Sequence, residues 1–457
     1  MAPKFGTSGL RGLVVELTPD LVADHVRAFV HACDTGGTLY VGQDLRPSSP
    51  DIAETIMSAA AAEGLRVVDC GALPTPALAL AALKDKAGAI MVTGSHIPAD
   101  RNGLKFYSRK GEITKEDEAA IGAAIGRPSA GKAGPRETNT TAGPQFIDRY
   151  IKAFGDSALA GQRIGLYAHS AVGRDDLAQM LKGLGAEVIE LGRSETFIPV
   201  DTEAVDPDTR AMIRDWVTGQ GLHALVSTDG DSDRPLLADE TGTIVPGDIM
   251  GQITAEALGA QAVVTPVSSN SGVTQKGFAT VALTQIGSPY VIAKMEELGG
   301  AVAGYEANGG FLLGFTATAP AGTLGPLVTR DCMLPLIMTL VHAGQSGVSA
   351  RVAQEPPVVT IADRLQEVPQ SRSQPFVSQL RDSPTARAAF LAKLGVEETA
   401  CDLTDGVRMQ IKGGGTVHVR PSGNAPELRL YIEGADVTAA DALMQAGLQA
   451  LREELQG

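Results

Sequence analysis

Apolar, β-branched runs alternate with Ala-rich stretches along the first part of the chain, and the alternation predicts βα units. Thr38 to Gly42 reads as a strand, Pro50 to Glu63 as a helix with Ser49 or Pro50 near its start, and Leu65 to Cys70 as a second strand. Thr75 to Leu83 is helical in pattern, and Ala87 to Val92 is a wholly apolar third strand. Continuous apolar strands suit a sheet covered on both faces. The order returns with Arg163 to Ala168, Gly173 to Leu184, Glu187 to Leu191, Pro207 to Thr218 and Leu222 to Ser227. It returns again with Gln261 to Thr265, Ser271 to Gly277, Thr280 to Leu283, Pro289 to Leu298 and Ala301 to Tyr305. Short βα units repeated in this way predict three related domains rather than one large sheet.

Two breaks punctuate the pattern. Gly126 to Gly143 is rich in Gly, Pro, Ser and Thr and reads as a linker, and Pro356-Pro357 interrupts any helix between Gln354 and Val359. Beyond lie a Gln/Ser-rich segment (Pro369 to Ser378), strands at Gly406 to Ile411, Thr416 to Arg420 and Leu428 to Glu433, and a helix over Ala439 to Glu454. They predict a smaller α+β domain. The expected division is 1–140, 141–245, 246–356 and 357–457.

Composition narrows the function. A chain of 457 residues suits about three domains of roughly 150 residues and buries ample core. A formal charge of −15 argues against a nucleic-acid surface and makes any anionic ligand depend on local cations. Cys33, Cys70, Cys332 and Cys401 are scattered, as expected of thiols in a reducing compartment. No apolar run reaches the roughly 18 residues of a membrane span, and the start lacks the apolar region of a secretory signal. A soluble cytoplasmic protein is expected, with no membrane or nucleic-acid partner.

Each βα unit ends in a polar loop after its third strand, where chemistry gathers in open α/β sheets. These loops are Thr93-Gly94-Ser95-His96, Asp229-Gly230-Asp231-Ser232-Asp233-Arg234 and Glu306-Ala307-Asn308-Gly309-Gly310. In the first, Gly94 admits a tight turn that leaves the Ser95 hydroxyl exposed at the strand end. An isolated serine there is ordinarily a turn or cap residue. Here Asn102-Gly103-x-Lys105 follows closely, with a lysine suited to proton transfer or phosphate pairing. His96 is either catalytic or a loop-orienting hydrogen-bonder.

Asp229, Asp231 and Asp233 alternate, so a curved loop converges them on one hard cation, most simply Mg²⁺. An EF-hand loop starts similarly, and Glu240 falls at its twelfth position. Arg234 stands where that loop needs glycine, Pro235 follows and a strand leads in, which excludes it. Three carboxylates so close repel one another without a counter-charge, and Arg234 offers a modest one. Glu306 and Asn308 place a carboxylate and an amide on a flexible loop, suited to paired sugar hydroxyls or to an ordinary turn. Arg420-Pro421-Ser422-Gly423-Asn424-Ala425-Pro426-Glu427-x-Arg429 combines two arginines, a hydroxyl, an amide and glycine-exposed N–H groups in a phosphate cradle. Gly6 to Gly12 adds a further cation, Arg11.

In order along nearly the whole chain, F-G-T-S-G-L-R-G, T-G-S-H-x-P with N-G-x-K, D-G-D-x-D-R, E-x-x-G and R-P-S-G-x-x-P resemble the α-D-phosphohexomutase family. The resemblance implies an α/β fold of three related mixed α/β domains plus a smaller α+β C-terminal domain around a central cleft. It implies that Ser95 is the phosphorylated serine, that Asp229, Asp231 and Asp233 hold Mg²⁺ with its phosphate, and that Lys105 and Arg11 serve proton transfer. Glu306 matches the residue contacting sugar hydroxyls. Arg420, Ser422, Gly423 and Asn424 match the loop holding the phosphate that is not reacting.

The implied reaction moves phosphate between the 1- and 6-positions of a hexose through phospho-Ser95 and a 1,6-bisphosphate, which also serves as activator. The C-terminal domain must rotate for the intermediate to turn over, with the Pro356 region as hinge. The partner is a small sugar phosphate, and the protein is a monomer or homodimer. Mannose is the favoured sugar, ahead of glucose and glucosamine. A non-catalytic sugar-phosphate binder and a metal-dependent phosphatase are the readings from other classes. Four positions depart from the family: Asn308 for serine, Gly310 for histidine, Asn424 for threonine, and Thr284-Gln285-Ile286-Gly287, which lacks the usual basic residue before glycine.

Overall fold

The computed structural model describes residues 3–6, 9–422 and 426–456. One strand arrangement recurs three times. Thr38–Gln43 lies between Arg66–Ala72 and Gly88–Val92, all parallel, and Arg101–Ser108 runs antiparallel beside the third. Arg163–Tyr167 sits likewise between Glu187–Leu191 and Ala224–Thr228, with Pro235–Ala238 antiparallel. Ala262–Pro266 repeats it with Thr280–Thr284, Val302–Tyr305 and antiparallel Phe311–Leu313. The predicted strands form within a residue or two of their expected limits. The fourth, reversing strand of each unit is what the periodicity missed. It matters because each polar loop is the turn from third to fourth strand, so both flanks of the loop are clamped into a sheet.

The first sheet is widened at both edges. Leu10–Leu13 pairs antiparallel with Arg101–Ser108 and sets Arg11 opposite Gly103. At the other edge Arg136–Thr138 pairs parallel with Arg66–Ala72, inside the stretch expected to be a linker. Its side chains are exposed and charged, as suits an edge strand, and Arg136 pairs with Glu54 at 2.7 Å. So short a strand carries no periodicity of its own.

The three units share one apolar core that runs from Leu78 and Tyr150 through Leu181 and Ile253 to Leu336. At its centre lies the helix Met333–Ala343, buried on every side from Met333 to Leu340. The C-terminal domain is separate. Its five-stranded antiparallel sheet runs Val359–Leu365, Leu428–Gly434, Thr416–Pro421, Val407–Ile411, Glu398–Asp402, under its own core of Phe376, Leu380, Phe390, Ile432 and Leu448. The Gln/Ser-rich segment is there a helix, Gln370–Asp382, despite Pro375 within it. Its buried Phe376, Val377 and Leu380 outweigh the missing proline N–H. Hydrogen bonds join this domain to the third unit: Asn270 Nδ2 to the Val358 carbonyl at 2.7 Å, Ser271 N to Glu433 Oε1 at 2.7 Å, and Ile286 N to Asp405 Oδ2 at 2.9 Å. Among the described residues no helix is long and apolar enough to cross a membrane.

Two buried histidines mark how dry these cores are. His169 Nε2 donates to the Thr228 carbonyl and His418 Nε2 to that of Asp405, and burial pushes both imidazoles from 6.5 down to about 4. The unfolded chain therefore takes up protons that the folded chain refuses. Stability should be full above pH 6.5 and fall as the pH drops toward 4. Thermal unfolding midpoints at a series of pH values check this; the double variant His169→Gln, His418→Gln should flatten the acid slope, and an unchanged slope refutes the assignment.

Candidate functional site

The first loop is held from behind. Ser95 has φ of +56°, a left-handed conformation that a non-glycine residue adopts only when its surroundings impose it. The constraint is Arg46, buried, which donates to the carbonyls of Ser95 (2.9 Å), Ile97 (2.6 Å), Pro98 (2.7 Å) and Arg101 (3.0 Å). Its Nε reaches Asp44 Oδ2 at 3.1 Å, and its guanidinium lies 4.1 Å above the centre of the Phe197 ring. Thr93 Oγ1 donates to the same Asp44 and accepts from Ser95 N at 2.7 Å. Gly94 is required for close approach, since a Cβ there would lie 2.6 Å from Arg46 Cζ. Sequence reasoning missed Asp44 and Arg46; their signal was their place just beyond the carboxyl end of the first strand.

Ser95 is not exposed, contrary to expectation: its accessibility is 0%. The second loop closes over it, and Gly230 allows this because a Cβ would stand 2.7 Å from the Ser95 carbonyl. Ser95 Oγ donates to Asp229 Oδ2 at 2.5 Å. Asp229, Asp231 and Asp233 are buried, with one ligand oxygen from each within 4.8 Å of the others. Ser232, at φ +55°, makes the turn that gathers them.

The counter-charge comes mostly from elsewhere in the chain. Lys105 Nζ donates to Asp231 Oδ2 at 2.5 Å and Asp233 Oδ2 at 2.6 Å. Arg330, which sequence reasoning did not single out, donates to Asp233 Oδ2 from Nε at 2.9 Å and pairs ionically with it through Nη2, also at 2.9 Å. Arg234 stands farther off, 3.9 Å from Asp229 and 3.8 Å from Asp233. Thr75, at the first turn of the helix Thr75–Lys84, donates through Oγ1 to Asp231 Oδ2 at 2.6 Å and through N to the Asp231 carbonyl at 3.0 Å. The positive end of that helix thus faces the trio.

Even so the carboxylates are under-compensated. Burial, then Asp231 and Asp233, push the Asp229 carboxyl up to about 8. Burial also opposes ionisation of Asp231, but Lys105, Thr75 and Arg330 together outweigh it and hold that carboxyl well below its ordinary range. Asp231 Oδ1 and Asp233 Oδ1 are buried with no hydrogen-bond partner among the described residues. Converging hard oxygen donors, two of them orphaned, fit a divalent cation such as Mg²⁺.

Among the remaining candidates, His96 Nδ1 accepts from Arg234 Nη1 at 3.0 Å and lies 3.3 Å from Ser95 Oγ. Burial and the neighbouring Arg234 hold the imidazole well below its usual range, so it is neutral and oriented by the arginine. Arg11 faces Arg234, Asp231, Arg330 and Asp233; burial and Arg234 lower its guanidinium to about 10, still charged near neutrality.

The third loop is tight rather than flexible. Gly309 N donates to the Glu306 carbonyl, Glu306 N to that of Gly310, and Gly310 N to Asn308 Oδ1 at 3.0 Å. Glu306 Oε2 accepts from Arg330 Nη1 at 3.2 Å, so one guanidinium joins the second and third loops.

From the C-terminal domain, Arg429 lies in register between Arg420 and Arg364 on the adjacent strands. Arg420 Nε donates to Asp405 Oδ1 at 2.8 Å, and Ser422 N to the Glu427 carbonyl at 2.9 Å. Gly423 and Asn424 lie outside the described residues. A cavity of about 1460 Å³ is lined by Arg364 and Arg429 together with Asp201, Glu203 and Ala307, so the arginine row opens toward the third loop. Arg429 also lies within electrostatic reach of His96, beside Ser95.

Comparison with known proteins agrees with this geometry. Models of phosphoglucomutase/phosphomannomutase α/β/α domains I, II and III and of the C-terminal domain match residues 2–132, 145–242, 239–356 and 377–448. Phosphomannomutases of Sinorhizobium fredii and Salmonella muenchen are 44% and 41% identical, covering 100% and 99% of this chain and 100% and 96% of their own. A phosphoglucosamine mutase of Symbiobacterium thermophilum is 28% identical with both chains covered in full. The fold matches a crystal structure of a phosphoglucomutase/phosphomannomutase family protein from Burkholderia thailandensis, with a TM-score of 0.79, 21% identity and coverage of 98% and 97%. With all four domain models met in order and a relative matched along its full length, the chain belongs to the phosphoglucomutase/phosphomannomutase family.

Proposed function

We propose that the protein is a phosphomannomutase, interconverting hexose 6-phosphate and hexose 1-phosphate through phospho-Ser95 and a bound 1,6-bisphosphate. One observation carries the reading: a serine hydroxyl held in a strained turn, donating to a carboxylate trio that fixed cations surround. The higher identity to phosphomannomutases than to a phosphoglucosamine mutase supports mannose over glucosamine.

In the proposed cycle the Arg46 scaffold aims Ser95 Oγ into the cleft, and Asp229 Oδ2 orients the hydroxyl. Positioning and fixed charge supply most of the acceleration in phosphoryl transfer. Mg²⁺, held by Asp229, Asp231 and Asp233, supplies neutralisation of charge on the transferring oxygens when bound. Lys105 and Arg11 hold positive charge beside the reacting phosphate, and Lys105 as an ammonium can donate a proton to the leaving oxygen. His96 and Arg234 orient one another across the entrance. Glu306 and Asn308 contact sugar hydroxyls. Arg420, Ser422, Gly423, Asn424 and Arg429 grip the distal phosphate, where guanidinium forks suit phosphate oxygens. Turning the bisphosphate over requires the C-terminal domain to open about the Pro356 segment.

Ser95→Ala should lower turnover of mannose 1-phosphate by about a thousandfold or more in a coupled assay. It should also abolish retention of labelled phosphate from hexose 1,6-bisphosphate. Undiminished turnover refutes the nucleophile, and net phosphate release without a bisphosphate requirement points to a phosphatase.

Chelation with EDTA should abolish activity, and Mg²⁺ should restore it. Rates on mannose, glucose and glucosamine 1-phosphates should rank in that order; comparable rates on the first two would mean dual specificity.

A further inference from the structure

Arg330 stands at the end of the strand Leu327–Asp331, remote in sequence from every motif, yet its side chain is buried at the junction of two loops. Nε donates to Asp233 Oδ2 at 2.9 Å, Nη2 forms an ion pair with the same oxygen at 2.9 Å, and Nη1 donates to Glu306 Oε2 at 3.2 Å. The guanidinium does not give up its proton under these conditions, so it is neither acid nor base. What it supplies is a fixed planar fork with a carboxylate on each side.

The backbone makes room for it. A Cβ on Gly310 would lie 2.7 Å from Arg330 Cγ and 2.8 Å from Cδ, so no side chain at 310 is compatible with this placement of the arginine. Gly310 is not in the left-handed region, so the collision rather than backbone torsion excludes a larger residue. Gly310 and Arg330 therefore form a matched pair. Engaging Asp233 through Oδ2 alone also leaves its Oδ1 without a hydrogen bond among the described residues.

We propose that Arg330 is a positioning residue for the mutase reaction, a single guanidinium that fixes the Glu306 carboxylate for the sugar hydroxyls and ties it to the metal-binding loop through Asp233. This rests on the function proposed above. Arg330 acts through Glu306, and its contacts among the described residues, to Asp233 and Glu306, do not include Ser95 Oγ. Lysine retains the charge but offers one compact nitrogen in place of the planar fork whose Nε and Nη1 reach carboxylates on opposite sides.

Steady-state kinetics on Arg330→Lys, Glu306→Gln and the double variant test the idea. Arg330→Lys should lower kcat/KM by about tenfold or more while its unfolding midpoint stays near wild type. In the Glu306→Gln background the same change should cost less than about threefold, because a residue acting through Glu306 has little left to position. A purely structural role would give equal losses in both backgrounds, and that result, or wild-type kinetics for Arg330→Lys, overturns the proposal. Should Arg330→Lys fail to fold, Gly310→Ala decides. It should reproduce the kcat/KM loss, and adding Arg330→Ala should cost little further because the arginine is already displaced; wild-type kinetics for Gly310→Ala overturns the pairing. Absence of mutase turnover in the wild-type protein would defeat the functional reading itself, separately from these outcomes.

Discussion

Everything at the centre of this molecule follows from a crowding of like charges out of reach of water. Three aspartates on five consecutive positions face one another in a buried pocket, an arrangement whose repulsion grows as the local dielectric falls. The fold answers with cations drawn from distant segments: Lys105 from the first unit, Arg330 from the third and the dipole of the Thr75–Lys84 helix. Each makes its contact only when the units are assembled. The site is thus also a staple, and its electrostatics and the packing of three domains are one constraint.

The strand order explains how one topology supplies three different loops to one place. In each unit a parallel third strand delivers the chain to the sheet edge and an antiparallel fourth strand takes it away, so loop position is set by hydrogen-bonded ladders on both sides. The identity of the loop is then free to differ: a hydroxyl, a carboxylate trio, a carboxylate with an amide. The C-terminal domain stands outside this common core and meets it through directional polar contacts such as Asn270 with Val358 and Ile286 with Asp405. Hydrogen bonds of this kind exchange with water at small net cost, whereas parting an apolar seam would not.

Much of this was legible along the chain. Apolar runs marked the parallel strands, and the loops after Val92, Thr228 and Tyr305 stood where sheet geometry places chemistry. What was hidden depended on contacts between residues far apart. The need for counter-charge was readable from the aspartates, but Arg234, the neighbour in sequence, is the distant partner in space, while Lys105 and Arg330 are close. Arg46 stood at a telling strand end, yet its role was hidden because most of its partners are carbonyls, which have no sequence signature. Gly94 was marked for its torsional freedom, whereas Ser95 bears the unusual torsion and Gly94 yields space to Arg46. Arg136–Thr138 and Gln370–Asp382 escaped since one is too short to show a period and the other carries a polar, proline-interrupted face.

The complete enclosure of Ser95 bears on how such an enzyme avoids waste. If Ser95 carries phosphate as proposed, a solvent molecule able to line up behind it would discharge it without product. The second loop covers the hydroxyl, and the same cover that keeps water off it would limit hydrolytic loss of a phosphate carried there. Economy of phosphate is then a property of the loop geometry, secured before any substrate arrives.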